Sequence, residues 1–339
     1  MTAALLALLV AGLSLLLTGV VRRYAIARSL LDHPTARSSH AAPTPRGGGV
    51  AIVVTFCAAI VWLTVAGQLG AQPAIALLGA GSLVALVGFV DDHRHVPAGL
   101  RLCAHFVAAV WALAWLGGLP PLIVFGTEWR LGWFGHAAAA LLLVWVLNLY
   151  NFMDGIDAIA GIEAVTVALG GAALWLITTG SDAAVVPALL AAASAGFLAW
   201  NLPPARIFMG DVGSGFLGLV LAVFAVWAAH EESRLFWSWI ILLGVFVVDA
   251  TMTLIRRVVR GERFYEAHRS HAYQYAARHV GQHRIVALSV GAINVAWLLP
   301  IAALVALGKI DGVLGVLIAY VPLVWLALHF KAGTKEVPR

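Results

Sequence analysis

Long apolar stretches separated by short polar connections run the length of the chain. They fall near 1–21, 48–67, 72–90, 101–119, 133–150, 159–179, 183–200, 213–230, 236–255, 285–307 and 311–330. Several reach the roughly 20 residues that carry a helix across about 30 Å of hydrocarbon. Helix also satisfies its own backbone in lipid. The pattern predicts an all-α integral membrane protein of about eleven transmembrane helices. Ten is the alternative count, because the turns at 179–183 and 308–311 leave the least defined boundaries. No soluble domain, internal repeat or low-complexity linker interrupts the series.

Composition narrows this further. Of 339 residues, 62% are hydrophobic, 11% are charged and 13 are tryptophan, with a mean hydropathy of +0.95. A soluble domain carries about 25% charged residues, so a soluble helical protein is excluded for want of polar surface. The net charge of +5 does not indicate a nucleic-acid partner, because position explains it. All of the 21 lysines and arginines except Arg130, Arg234 and Lys309 fall in the connections 22–47, 91–101, 201–211 and 256–284 or in the tail after Phe330. By the positive-inside rule those connections are cytoplasmic, the N-terminus is periplasmic and the C-terminus is cytoplasmic. The first run has no basic residue ahead of it and meets Arg22 and Arg23 at its far end, which reads as a retained helix rather than a cleaved signal. Cys57 and Cys103 both lie in apolar runs, so neither a disulfide framework nor a cysteine metal site is expected.

The same topology gathers the acids. Asp32, Asp91, Asp92, Asp154, Asp157 and Asp211 fall at cytoplasmic span ends or in cytoplasmic loops, and Asp249 lies inside the ninth span near that side. Ionisable groups at membrane depth are costly and point to function. One cytoplasmic active site built from several loops is expected. Asp91 and Asp92 are adjacent, so on a helix they face different partners. Asp154 and Asp157 share a helical face, where like charges need a cation or a proton between them.

Around Asp211, "IFMGDVGSG" places Gly210, Gly213 and Gly215 at a helix start whose amides suit phosphate, although such a turn taken alone is more often a helix cap. Carboxylates with no cysteine or compact histidine cage suit magnesium shared with substrate phosphates, and manganese as a substitute. Cationic groups for a phosphoryl transfer lie in "RRVVRGERFYEAHRSHAYQYAARHVGQHR", with Arg269, His268 and His271. The loop "DHPTARSSHAAPTPRGGG" adds Arg37, His40, Arg46 and a glycine triplet containing Gly48, which suits a loop folded over an anionic ligand.

Five ordered motifs, "DHPTARSSHAAPTPRGGG", "GFVDDHRHVP", "NLYNFMDGIDAIAG", "NLPPARIFMGDVGSG" and "EAHRSHAYQ", resemble those of the polyprenyl-phosphate N-acetylhexosamine-1-phosphate transferases, glycosyltransferase family 4. The resemblance runs from about Asp32 to Gln274. It implies transfer of an N-acetylaminosugar 1-phosphate from a UDP-sugar to undecaprenyl or a related polyprenyl phosphate at a bacterial inner membrane, with release of UMP and a need for magnesium. It implies Asp211 as metal ligand, and Asp91 and Asp92 in catalysis and lipid-phosphate activation. Asn151, Asp154 and Asp157 match the nucleotide and active-site loop, and His268 with His271 the histidines near the diphosphate. Arg101, Asn148, Asn201 and Arg206 accompany them as substrate-binding positions.

Two departures from the family pattern matter. The "HRSH" sequence replaces a tract of adjacent histidines, which argues against a muramyl-pentapeptide donor and toward the O-antigen and surface-polysaccharide branch. Ala158 replaces a glycine and is expected to tighten its turn. A possible homodimer through apolar helix faces fits the composition. An ion-coupled transporter would also place acids in membrane helices, but such proteins show inverted repeats and midplane sites. A catalytically inactive scaffold of a polysaccharide complex is the remaining alternative.

Overall fold

The computed structural model describes residues 2–34, 42–262 and 269–334. Arg37, His40 and His268 lie outside them. Each expected apolar run is helical. The helices are α1 (Ala3–Ala27), α2 (Gly49–Val65), α3 (Ala71–His93), α4 (Ala98–Leu116), α5 (Gly132–Met153), α6 (Ile159–Thr179), α7 (Val185–Asn201) and α8 (Asp211–Glu231). They continue as α9 (Ser233–Leu242), α10 (Gly244–Val259), α11 (Ala272–Val280), α12 (His283–Ile293), α13 (Leu299–Ala306) and α14 (Gly312–His329). A short π-helical segment, Asn294–Leu298, joins α12 to α13 into one span.

Among the described residues, nine helices are long and apolar enough to cross a membrane. A tenth span forms if α9 and α10, which meet at 67°, are one broken crossing. Helix α2 has only 17 residues, about 26 Å of rise, slightly less than the hydrocarbon thickness. By length alone nine or ten helices qualify; ten is the alternative expected count, and α2 would make the eleventh. Side chains facing outward are apolar: Leu8 is 71% exposed, and Trp133 and Phe134 are each 86% exposed. Such a surface is stable only against lipid.

Helix α8 is the axis of the bundle. Its membrane window is wholly buried, packed against α2, α3, α5, α6 and α9. Phe216 and Phe224, both fully buried, meet Phe56 of α2 edge-on at 5.9 and 6.4 Å. Close approach at the start of α8 depends on small residues. A Cβ on Gly49 would sit 2.3 Å from the Gly213 Cα, so α2 and α8 touch backbone to backbone there.

Two small antiparallel ribbons were absent from the helical expectation. β1 (Leu31–Asp32) pairs with β2 (Thr44–Pro45), with Leu31 opposite Pro45. β3 (Leu122–Val124) pairs with β4 (Thr127–Trp129) across the Phe125–Gly126 turn. Strands of two or three residues are too short to produce a readable alternation. The second ribbon closes one end of the bundle: the Phe125 N–H donates to Asp311 at 2.6 Å, and the Ile123 N–H donates to the Ser233 hydroxyl at 2.8 Å. At the opposite end the C-termini of α3, α5 and α7 meet the N-terminus of α8.

Candidate active site

Each helix end at that site is fixed by its sequence. Helix α3 stops when Arg94 turns extended, with Pro97 capping the start of α4. Asp91 and Asp92 therefore sit in the last turn of α3 and face different partners. Asp91 accepts the Val96 N–H at 2.7 Å and pairs with Arg101 of α4. Asp92 reaches the other way, its two oxygens accepting the Asp211 and Val212 N–H groups at 3.2 Å each. The first amides of α8 are thus occupied by a carboxylate. Of the two readings of this turn, the helix cap is the one seen here: Asp92 supplies the anion that a helix N-terminus favours. Gly210 makes this approach possible: its φ is +77°, and a Cβ there would lie 2.5 Å from Asp92 Oδ2.

Asp211 is shared between two neighbours. Asn151 donates to one oxygen at 2.9 Å and also to the Ser214 hydroxyl at 3.0 Å. Arg101 lies 3.3 Å from the other oxygen, so a single guanidinium bridges Asp91 and Asp211.

The 154–158 turn follows α5. Tyr150 pins it by donating to the Ala160 carbonyl at 2.6 Å, and Tyr273 of α11 donates to the Phe152 carbonyl at 3.0 Å. Ala158 stands in left-handed backbone at φ +68°, where its methyl is unfavourable. The alanine therefore loads the turn with strain rather than tightening it. Its N–H donates to Asn201 Oδ1 at 2.9 Å, while Asn201 Nδ2 donates to the Ile207 carbonyl at 2.9 Å. Asn201 ties two loops together beneath the site.

Two cavities meet at this centre. A polar pocket of about 240 Å³ is lined by Asp32, Asp92, Asp154, Asp157 and Asp211, with Arg46, Asn151, Ser214, Gln274 and His283. A larger apolar groove of about 540 Å³ runs between α3, α4, α5 and α10 past Leu102, Val144 and Leu254. Asn151 and Asp211 line both, and Arg101, His105 and Asn148 line the groove. Loss of bulk water, followed by the charges of Asp211, Asp92 and Asp157, pushes the Asp154 carboxyl well above the usual carboxylate range.

Several expected site residues have other surroundings. The Gly48 N–H donates to the Phe208 carbonyl at 2.9 Å, so this glycine packs the loop against the core. Arg206 stacks on Trp200 at 5.9 Å and does not line the pocket. Asn148 donates to the Val144 carbonyl at 2.7 Å. The Arg269 carbonyl accepts from Arg278. His271 is buried, its Nδ1 lying 3.3 Å from Asp249. Asp249 also accepts the Ala272 and Tyr273 N–H groups at 2.9 Å, so this intramembrane acid is the cap of α11. Arg46 does line the pocket, and it donates to the Asp92 carbonyl.

Ser214, Gln274 and His283 are pocket residues that the site assignment did not include. The first two lie within the motifs "GDVGSG" and "AHRSHAYQ", whereas nothing in the local sequence singles out His283.

The carboxylate chemistry suits a hard cation. Five carboxylates and one arginine line a pocket that would receive an anionic substrate, a balance that a bound divalent cation would offset. Among the described residues no three His, Cys, Asp or Glu side chains form a ready-made metal cage. Magnesium is usually held by one or two carboxylates together with substrate phosphates.

The anionic pocket and the apolar groove thus share Asn151 and Asp211 in their walls. The family described as glycosyl transferase family 4 matches residues 74–229. A phospho-N-acetylmuramoyl-pentapeptide-transferase of Moorella thermoacetica is 33% identical over 255 residues, 69% of this chain and 77% of that protein. A protein of Bacillus subtilis named a probable undecaprenyl-phosphate N-acetylglucosaminyl 1-phosphate transferase is 28% identical, over 81% of this chain and 77% of its own. A decaprenyl-phosphate N-acetylglucosaminephosphotransferase of Mycolicibacterium smegmatis is 29% identical, over 76% and 70% respectively. The chain belongs to glycosyl transferase family 4, in its branch of membrane-embedded polyprenyl-phosphate hexosamine-1-phosphate transferases.

Proposed function

We propose that this protein transfers an N-acetylaminosugar 1-phosphate from a UDP-sugar to a polyprenyl phosphate, undecaprenyl phosphate in a bacterium, and releases UMP. The observation that carries this reading is the junction of the polar pocket with the apolar groove at Asn151 and Asp211. A polyprenyl chain occupies the groove, and its phosphate arrives beside Arg101. In-line displacement places the leaving group opposite the nucleophile. UMP therefore lies toward Asp157 and His283, which line only the polar pocket.

The acceptor phosphate is already ionised at neutral pH. Its oxygen forms a bond to the β-phosphorus, and the bond to the α-phosphate oxygen breaks with its electrons leaving on UMP. Direct attack is favoured by the commitments of Asp91 and Asp92, whose oxygens are engaged by backbone N–H groups and Arg101. Arg101 and Arg46 offset phosphate charge from the two cavities. Asp211 and Asp154 would hold magnesium, which when bound supplies positive charge to the diphosphate. Positive-inside placement of the basic loops supports a cytoplasmic site, with the N-terminus periplasmic. The "HRSH" motif supports a surface-polysaccharide role over a muramyl-pentapeptide donor.

Purified protein given undecaprenyl phosphate, magnesium and a panel of UDP-N-acetylaminosugars should release UMP with one donor and only when lipid is present. Ion transport without UMP release would overturn the proposal.

A further inference from the structure

Asp157 lines the polar pocket and not the apolar groove. One of its oxygens accepts the Ala205 N–H at 3.1 Å, which ties it to the connection between α7 and α8. The other lies 3.5 Å from Nδ1 of His283, the first residue of α12. The chain delivers His283 through a short turn: Gly281 closes α11 in left-handed backbone at φ +74°, and Gln282 is extended before α12 begins. His283 lines the pocket itself, and its side chain is 21% exposed beside a 12% exposed Asp157. A backbone hydrogen bond from one element and a close imidazole contact from another thus meet on one carboxylate at the pocket wall.

We infer that His283 is a positioning residue for Asp157, holding that carboxylate in place to receive the donor nucleotide and so setting nucleotide affinity. This rests on the reading of the polar pocket as a UDP-sugar site. An ionised carboxylate only accepts hydrogen bonds and repels phosphate. Its remaining lone pairs suit the N–H and O–H groups of a nucleoside. Without His283, Asp157 keeps the Ala205 hydrogen bond and can pivot, which weakens nucleotide binding while leaving Asp211, Asn151 and the groove intact. The effect belongs to ground-state binding rather than to the chemical step.

Calorimetric titration of UMP into the full-length, detergent-solubilised protein with magnesium tests this. His283→Ala should weaken UMP binding about tenfold, corresponding to roughly 1.4 kcal/mol. His283→Asn, whose amide can donate from near the Nδ1 position, should recover most of it. The Asp157→Asn and His283→Ala losses should be non-additive, since the second acts through the first. In turnover with saturating lipid, His283→Ala should raise the donor KM about tenfold and leave kcat within about twofold.

Unchanged UMP affinity in His283→Ala, full additivity with Asp157→Asn, or a fall in kcat at constant KM overturns the role of His283. Failure of the folded wild-type protein to bind UMP overturns instead the reading of the pocket on which the inference stands.

Discussion

The Asp92 carboxylate caps helix α8 by accepting the backbone N–H of Asp211, the residue that would bind metal, at 3.2 Å. One aspartate thereby sets the position of another through the main chain. Asp92→Asn keeps one acceptor but turns an N–H₂ group toward the second amide. It should cost about 1–3 kcal/mol of stability and should lower kcat far more than donor KM. Denaturation midpoints and steady-state kinetics on the same preparation check both effects.

Asp211→Asn leaves the helix start and its cap in place while removing a charge from the polar pocket. Magnesium-dependent UMP release should fall roughly 100-fold or more, with the protein still folded and inserted. Retained activity would remove Asp211 from the metal site.

The raised carboxyl of Asp154 gives a signed pH dependence. A carboxylate whose folded pKa exceeds its unfolded value favours the folded state while protonated, and that contribution is lost as pH rises through the folded pKa. Without divalent cation the protein should therefore be more stable on the acid side and lose stability as pH rises. Magnesium should counter the loss, with its largest effect at the higher pH. Thermal midpoints between about pH 5 and 8 with and without magnesium measure this, and Asp154→Asn should flatten the profile.

The apolar groove can be blocked without touching the polar pocket. Leu102 lines it on α4 and is 43% exposed, so Leu102→Trp can be accommodated outward of the core. The lipid KM should rise about tenfold, corresponding to roughly 1.4 kcal/mol of lost binding, and UMP affinity should stay unchanged. Parallel loss of both would place the nucleotide in the groove instead.

Ala158 provides a stability test at the catalytic turn. Glycine accepts left-handed backbone freely, whereas a β-branched residue there is a severe outlier. Ala158→Gly should retain activity and stability to within about 1 kcal/mol. Ala158→Val should destabilise the turn and lower activity, as chemical unfolding and UMP release would report.

The helices were legible because each apolar run is longer than any connection needs. The acids that meet at the site were legible because they sit at the same ends of successive runs. What each acid does was not: Asp91 and Asp92 differ by one position in the sequence, yet one holds an arginine and the other a helix terminus. Asp249 reads as a functional group by depth alone and proves to be a cap for α11. His283 lies 126 positions from Asp157 in the numbering of the chain, and only the folding of α11 and α12 back over the site brings them together. The break between α9 and α10 was hidden because apolar composition continues through Leu243.

Helix α8 touches no lipid along its membrane window. A strut sheathed on all sides by protein is mechanically insulated from the bilayer, so changes in membrane thickness or lateral tension reach Asp211 only through its neighbours. The outer helices, including α1 and α4, absorb those deformations first. The carboxylate centre is in this sense built on a foundation decoupled from the fluid that delivers one of its substrates.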